Sequence, residues 1–224
     1  MADIRENTVS SKGQVGNAQS LFGEKNSGKK LLFLGNSITR HSPAPQIGWN
    51  GDWGMAASSR EKDYVHQTMK KVRTIAPDAS FLVAQIALWE REFWNEAVIA
   101  QNYEEAVRYG ADIIIMRAVE NVPEEELEKH SFEDGYVGLL EKMNKGNAKI
   151  VLTTSFWPAG RRDEMIRGIA EKRGYALVEL NDLGRDDRYT AKGLFEHAGV
   201  AAHPGDLGME TIAQRLFDAI RAEL

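Results

Sequence analysis

The chain has 224 residues, of which 42% are hydrophobic and 27% are charged, a composition typical of a folded globular domain rather than a disordered or membrane-spanning segment. Its net charge of −5, with no basic stripe interleaved with aromatic residues, argues against a nucleic-acid partner. The sequence has no cysteine, which excludes disulfides, thiolate nucleophiles and cysteine-ligated zinc.

Residues 1–29 are polar and rich in Ser, Gly, Asn and Lys, and we expect an extended N-terminal arm that is ordered only in part. Residues 30–224 then form one domain. The start of the sequence does not have the apolar core of a signal peptide, and no apolar run approaches the roughly 20 residues of a membrane span. We therefore expect a cytoplasmic protein without a membrane partner.

Within the arm, residues 23–30 nearly match the pattern of a phosphate-binding loop. Lys30 stands where that pattern has Ser or Thr. The segment also precedes a predicted strand, whereas a phosphate-binding loop follows a strand and begins a helix. Nucleotide binding is thus the weakest of three functional hypotheses, and it predicts that ATP raises the melting temperature.

Five short apolar runs alternate with amphipathic segments along the rest of the chain. The runs, which indicate buried parallel strands, are residues 31–34, 81–86, 113–116, 150–153 and 176–180. The last amphipathic segment follows Asp206, which we expect to be its N-cap. This alternation predicts a doubly wound α/β domain, whose ligand crevice lies at the carboxyl ends of the strands.

Ser37 follows the first predicted strand, in the stretch Gly-Asn-Ser-Ile-Thr at residues 35–39. Such a serine can be an exposed nucleophile with an N–H that points at an acyl oxygen. It can equally be a local turn or cap residue. The stretch differs from the nucleophile elbow of lipase-like hydrolases, because no glycine follows two residues after the serine.

Two later residues favour the nucleophile. His203 comes directly before the last predicted helix, beside Pro204, and so lies at the same edge of the sheet as Ser37; a nearby histidine is the usual base for such a serine. Asn121 follows the third strand, where its amide is suited to hydrogen-bond an oxyanion. Each of these residues, taken alone, is also an ordinary loop or turn residue.

Together these residues, with Val119 and Glu120 before Asn121 and Pro204 after His203, resemble the motifs of the SGNH hydrolases, also called GDSL-type esterases and lipases. The resemblance covers about residues 30–224. It implies a flavodoxin-like, five-stranded parallel sheet of order 2-1-3-4-5 with helices on both faces. It also implies that Ser37 is the nucleophile, that His203 is the general base, and that Asn121 and the Ser37 N–H form the oxyanion hole.

The chain departs from the family pattern at four places. Asn36 replaces the usual Asp, Val119 replaces a glycine, and residues 84–92 replace the glycine loop after the second strand. Val200 stands where an acid usually precedes the histidine by three positions. A Ser–His dyad is therefore predicted, and a backbone carbonyl or a carboxylate such as Glu120 or Glu196 must orient the imidazole, because a wrong tautomer is costly.

Aromatic and polar residues near the sheet edge that carries Ser37 indicate what kind of substrate the site would bind. Trp49 and Trp53 lie in a glycine-rich loop after Ser37, and Trp89, Trp94 and Trp157 follow other strands. Such side chains suit a sugar ring or a small acyl pocket. The neighbouring polar side chains favour a polar substrate; they are Asn36, Asp52, Glu90 and Arg117.

We therefore expect a serine esterase that removes a small acyl group, most simply acetyl, from a carbohydrate alcohol without metal or organic cofactor. The second hypothesis is a carbohydrate- or ligand-binding protein that keeps the fold and has lost turnover, since Val119, Val200 and the missing glycine loop all depart from the family. The sequence does not fix the oligomeric state.

Overall fold

The computed structural model describes residues 22–24 and 28–224. Its strands are β1 (Phe22–Glu24), β2 (Lys30–Gly35), β3 (Ser80–Gln85), β4 (Ile113–Arg117), β5 (Lys149–Thr153) and β6 (Ala176–Val178). Its α-helices are α1 (Tyr64–Val72), α2 (Ala87–Arg91), α3 (Glu96–Asn102), α4 (Glu104–Tyr109), α5 (Phe132–Met143), α6 (Arg161–Arg173), α7 (Ala198–Ala201) and α8 (Asp206–Ile220).

The strands form one sheet in the order β1-β3-β2-β4-β5-β6. All neighbours from β3 to β6 pair in parallel, whereas β1 runs antiparallel to β3. Counted from β2, the five parallel strands have the order 2-1-3-4-5, which confirms the predicted fold. Gly35, the last residue of β2, is level with Gln85 on one side and Arg117 on the other. The segments that follow these three strands therefore meet at one edge.

Strand β1 was not predicted. Phe22 pairs with Val83 and Glu24 pairs with Phe81, so this part of the expected arm adds an edge strand to the sheet. The expectation of an extended arm otherwise concerns residues 1–21 and 25–27, which lie outside the described residues, and it stays a prediction.

Helices cover both faces of the sheet, which explains why β2 is apolar at successive positions. Leu32 and Leu34 point into the core under α5 and α6, and Leu31 and Phe33 point into the core under α1 and α8. The last amphipathic segment predicted from the sequence is α8, and the second core buries its apolar side chains, which are Met209, Ile212, Ala213, Leu216 and Ile220. In the described part of the chain, no helix combines the length and the apolar character needed to cross a bilayer.

The start of α8 corrects one prediction. Asp206 is the first residue of the helix and Gly205 is its N-cap, with no side-chain capping hydrogen bond. The Asp206 carboxylate instead accepts hydrogen bonds from Ser58, from the backbone N–H at 2.8 Å and from the hydroxyl at 2.7 Å. The carboxylate still benefits from the positive end of the helix dipole, while it ties α8 to the loop after Ser37.

Candidate active site

Ser37 sits in a tight turn directly after β2. The carbonyl of Asn36 accepts hydrogen bonds from the N–H groups of Thr39 at 2.9 Å and Arg40 at 3.0 Å. A Cβ at Gly35 would lie 1.8 Å from the Thr39 hydroxyl oxygen and 2.9 Å from the Arg117 carbonyl oxygen, so a larger residue does not fit there. The turn leaves the Ser37 side chain half-buried at the edge of the sheet.

The structure brings Ser37 and His203 together across 166 residues of sequence. Ser37 Oγ lies 2.8 Å from His203 Nε2, and His203 Nδ1 lies 2.6 Å from the carbonyl oxygen of Gly199. A carbonyl oxygen only accepts, so we assign the imidazole proton to Nδ1. In the neutral ring Nε2 then carries the lone pair and accepts the hydrogen bond of the Ser37 hydroxyl. This is the tautomer a general base requires.

Backbone contacts hold the histidine loop. The His203 N–H donates to the carbonyl of Val200 at 3.0 Å, and its carbonyl accepts from Ala191 N–H at 2.8 Å. Gly199 belongs to the four-residue helix α7, and the last carbonyls of a helix have no partner within it. One of these carbonyls is thus available to the imidazole.

Val200 explains why no acid stands three residues before the histidine. Its side chain is 1% exposed and belongs to an apolar cluster with Trp49, Met55 and Ala191. A carboxylate at that position would be buried among apolar groups, at a high cost in free energy. The cluster also shows that Trp49 packs the loop after Ser37 into a small core of its own.

The site environment favours neutral His203. Burial lowers the pKa of this imidazole to about 4, and it outweighs the Gly199 hydrogen bond, which raises the pKa. The nearby His41 and Arg117 lower the pKa further, whereas Glu120 raises it. The base is therefore unprotonated at all pH values well above 4.

Behind the Ser37 turn lies a set of side chains that we call the buried polar cluster: Asn36, Glu90, Arg117, Glu120 and Asn121. Asn36 is at its centre. Its Nδ2 donates to Glu90 Oε1 at 3.0 Å and to Glu120 Oε2 at 2.6 Å, and its Oδ1 accepts from Arg117. One amide side chain thus joins two carboxylates and a guanidinium directly beneath the serine.

Four further contacts complete the cluster. Arg117 donates to Glu120 Oε1 at 2.6 Å, and the N–H of Phe156 donates to the same oxygen at 3.0 Å. Asn121 Nδ2 donates to Glu90 Oε2 at 2.6 Å, while its Oδ1 accepts from Arg91 at 3.4 Å. Asn121 is therefore connected to the Ser37 turn through Glu90.

The charges of the cluster are unequal. Burial alone raises the pKa of Glu120, but the charge and hydrogen bonds of Arg117 outweigh burial and hold this pKa below its ordinary value. Among the hydrogen bonds of the described residues, none joins Glu90 to a guanidinium, and its partners are Asn36 and Asn121. Burial, and then the neighbouring charge of Glu120, raise its pKa to about 7. Arg117 and Glu120 form the charged pair, and Glu90 is the carboxylate whose protonated form is favoured by burial and by the charge of Glu120.

The structure corrects the roles predicted for Glu120, Glu196 and Trp89. In the described structure the partner of His203 Nδ1 is the Gly199 carbonyl, so the orienting role considered for Glu120 and Glu196 falls to the backbone. Glu120 is bound within the buried polar cluster, and Glu196 is exposed. Trp89 is 0% exposed and packs on Tyr136, so it forms part of the core and is not a substrate contact.

Of the other residues predicted to contact the substrate, some are fully buried and some keep an exposed surface. Arg117 and Asn36 are at most 1% exposed, because each is enclosed by the hydrogen bonds of the cluster, so neither presents a side chain to a substrate. Trp53 is half-buried, and its ring packs edge-on against Trp49 at 5.6 Å. Trp157 is also half-buried and packs edge-on against His203 at 5.2 Å. Trp157 therefore has surface beside the dyad, and Trp53 has surface on the loop after Ser37.

Sequence reasoning missed the role of Glu90 and could not say which carbonyl orients His203. The sequence indicates Glu90 only as a polar side chain that favours a polar substrate, although its place just after β3 puts it at the edge that carries Ser37. The Gly199 carbonyl carries no signal in the sequence, because every residue has one. The expected glycine loop is the helix α2, whose first residue, Ala87, donates its N–H to Gln85 Oε1 at 3.1 Å.

Comparisons with known proteins find a similar fold in several esterases. No protein-family model and no curated protein sequence matches the chain. Among solved structures, the esterase EstA from Pseudoalteromonas sp. is 13% identical with a TM-score of 0.52, over 87% of this chain and 98% of that one.

Two further structures are similar. A protein from Desulfitobacterium hafniense assigned to the G-D-S-L family of lipolytic proteins is 10% identical with a TM-score of 0.55, over 85% of this chain and 99% of that one. A family two carbohydrate esterase from Clostridium thermocellum is 14% identical with a TM-score of 0.56, over 89% of this chain and 65% of that one. The chain has the fold of the SGNH hydrolases.

Proposed function

We propose that the protein is a serine esterase that hydrolyses small acyl esters, acetyl esters above all, of a polar alcohol such as a carbohydrate. The observation that carries the proposal is the contact of 2.8 Å between Ser37 Oγ and His203 Nε2, on an imidazole whose other nitrogen meets a carbonyl. A hydroxyl next to an unprotonated ring nitrogen is the arrangement in which serine becomes a nucleophile.

The reaction has two stages. Ser37 Oγ attacks the ester carbonyl while its proton passes to His203 Nε2, and that proton then leaves with the alcohol. Water next gives a proton to Nε2 and attacks the acyl-serine, which releases the acid and restores the hydroxyl. Throughout, the Gly199 carbonyl accepts the hydrogen bond of Nδ1–H and stabilises the imidazolium formed in each stage.

The oxyanion is assigned to Asn121 and to the backbone N–H of Ser37. Asn121 Nδ2 has two hydrogens, and Glu90 takes one of them. The second is the donor we assign to the tetrahedral oxygen. A neutral amide stabilises this charge without lowering the pKa of the base.

Support for a carbohydrate ester comes from the surface around the dyad. Trp53 and Trp157 present half-buried rings, and the charged pair of Arg40 and Asp52, 2.8 Å apart, lies on the same loop as Trp53. Aromatic faces beside polar groups are suited to sugars. The similarity to a carbohydrate esterase points to the same class of alcohol.

The experiment compares hydrolysis of p-nitrophenyl acetate by the wild type and by Ser37→Ala, with Ser42→Ala as the matched control on the following loop. We expect Ser37→Ala to lose at least about 10³-fold in kcat/KM, because the nucleophile is removed. Ser42→Ala should stay within about twofold, as expected of a substitution outside the reacting groups. Equal rates for the wild type and Ser37→Ala would remove Ser37 from the mechanism.

Fluorophosphonate labelling separates the esterase from a binding protein that has lost turnover. Mass spectrometry should find the adduct on Ser37 in the wild type and not in the alanine variant. A wild type that takes no label and hydrolyses no ester, yet binds sugars, would favour the binding protein. A series of acyl chain lengths and acetylated sugars then defines the substrate, with the highest kcat/KM expected for acetyl.

A further inference from the structure

Glu90 is a fully buried carboxylate with no part in the proton transfers proposed above. It lies in α2, where the family resemblance leads to the expectation of a glycine loop. Its two oxygens serve two different side chains, Oε1 accepting from Asn36 and Oε2 accepting from Asn121. One carboxylate therefore joins the residue before the nucleophile to the proposed oxyanion donor.

Helix α2 contacts both ends of the Asn121 amide. The nitrogen meets Glu90, and the oxygen meets the guanidinium of Arg91 at 3.4 Å. If the amide turned over by 180°, its oxygen would face a carboxylate and its nitrogen would face a cation. Because an ionised carboxylate only accepts and a guanidinium only donates, a single orientation satisfies both contacts.

We propose that Glu90 is a positioning residue of the esterase site: its carboxylate fixes the amide of Asn121 relative to the Ser37 turn, so that the second amide hydrogen meets the developing oxyanion. This inference rests on the proposed esterase function. Helix α2 replaces the expected glycine loop, and the proposal gives this helix the role of orienting the oxyanion donor Asn121.

Protonation of Glu90 should weaken this positioning. A neutral carboxyl has a hydrogen of its own, and both amide nitrogens that face it are donors, so one contact must give way. The other charged or titratable groups that face Glu90 come from several elements: Arg117 at the end of β4, Glu120 after β4, Arg91 on α2, Tyr103 between α3 and α4, and Tyr136 on α5. With the pKa of Glu90 raised to about 7, kcat should fall in a partial step as the pH decreases through neutrality.

The test begins with Glu90→Gln, which keeps the shape and replaces the carboxylate with a neutral amide. We expect kcat to fall by about 10- to 100-fold, as for a displaced reacting group, with KM changed by less than about twofold because ground-state binding is not involved. The partial step near neutral pH should disappear. Glu126→Gln, the same change on a surface glutamate paired with Lys129, should alter neither kcat nor the pH profile.

A double-mutant cycle with Asn121→Ala separates positioning from general destabilisation. If Glu90 acts through Asn121, the double variant should be no slower than Asn121→Ala alone, because residues that act as a unit are not additive. Losses that multiply would overturn the proposal. So would a neutral-pH step that persists in Glu90→Gln.

A second measurement, the pH profile of Asn121→Ala, tests the proposal even if Glu90→Gln does not fold. Asn121→Ala retains Glu90 but has no amide to position, so it should lose the step near neutral pH that the wild type shows. An unchanged step in Asn121→Ala would overturn the proposal. Failure of the esterase function itself would be seen separately, as a wild type that is not labelled by fluorophosphonate at Ser37.

Discussion

The two halves of the dyad are held by different means. The Ser37 turn rests on the buried polar cluster, in which Asn36 joins two carboxylates and a guanidinium. The His203 loop rests on main-chain hydrogen bonds and on an apolar cluster that includes Val200. The nucleophile therefore depends on the charge and hydrogen-bonding capacity of its neighbours, whereas the base depends on the shape of its loop.

In each half of the dyad, the family pattern has an acidic residue that this chain does not have. Asn36 stands at one of these positions and Val200 at the other. Restoring the acidic residue of the family at each position tests whether the Ser37 turn and the His203 loop are held by different means. We expect both changes to be harmful, for separate physical reasons.

The larger effect is expected for Asn36→Asp. The substitution removes the amide that donates to Glu90 and Glu120 and adds a third carboxyl group between them. Breaking a buried charged network costs about 3–5 kcal/mol, and we expect a loss of free energy of unfolding of this size at pH 7. Repulsion raises the pKa of the new carboxyl, so the loss should shrink as the pH falls and the carboxyl takes up a proton.

Urea denaturation at pH 5 and pH 7 measures the effect, with the exposed Asn50→Asp as the matched control. A variant as stable as the wild type at pH 7 would contradict the view that Asn36 links two carboxylates. A loss relative to the wild type that is no smaller at pH 5 than at pH 7 would contradict the assigned direction.

A smaller effect is expected for Val200→Asp. Here the change removes buried apolar surface and places a carboxyl among apolar neighbours, at a cost of about 2–3 kcal/mol. We expect no gain in kcat/KM, because Nδ1 already donates to the Gly199 carbonyl. Thermal unfolding and ester hydrolysis measure the two quantities, and Val200→Ala isolates the loss of packing. A variant with higher kcat/KM than the wild type would show that the carbonyl is a poor substitute for an acid.

The smallest effect is a displacement of the acid limb of the pH–rate profile. Burial of His203 holds its pKa at about 4, below the value of about 6.5 for an unperturbed histidine. The lowered pKa keeps the base neutral, so protonation of His203 does not reduce activity at pH 6 and does so only near pH 4. The group also binds its proton more weakly in the folded state, so this contribution to stability is present above pH 6.5 and decreases as the pH falls toward 4.

Measurement of kcat/KM between pH 3.5 and 8 reports the pKa of the free enzyme. Glu90→Gln is the appropriate background, because it removes the expected step near neutral pH and leaves the histidine limb alone. A limb centred between pH 6 and 7 in that variant would show that the imidazole is not desolvated.

Sequence reasoning predicted the parallel strands from local apolar runs, whereas it predicted the strand order and the dyad through the resemblance to the SGNH hydrolases. Buried runs mark the parallel strands, and the residues after β2 and before α8 carry the serine and the histidine. Edge strand β1 was missed, since a three-residue strand has no periodicity to detect. The start of α8 was misplaced by one residue, because Asp206 has a partner in Ser58 that is 148 residues away.

The buried polar cluster was beyond sequence reasoning for a different reason. Glu90, Arg117 and Glu120 look like surface residues in the sequence, because such residues are seldom fully buried unless they are paired. Only the level register of β2, β3 and β4 brings them together. Trp89 was misassigned for the converse reason, since an aromatic side chain after a strand fits the core as well as it fits a binding surface.

The carbonyl of Gly199 has a consequence for how this site responds to mutation. A conventional triad can be broken by replacing its acid, but no side-chain replacement deletes a main-chain oxygen. In a saturation mutagenesis screen, the orienting group of His203 would therefore not appear as a position where loss of a side-chain group abolishes activity. It would be lost only through substitutions that move the short helix, as at Gly199 itself, where a Cβ would lie 2.9 Å from the His197 ring. The third member of the site is thus sensitive to the shape of the backbone and not to the loss of a side-chain group.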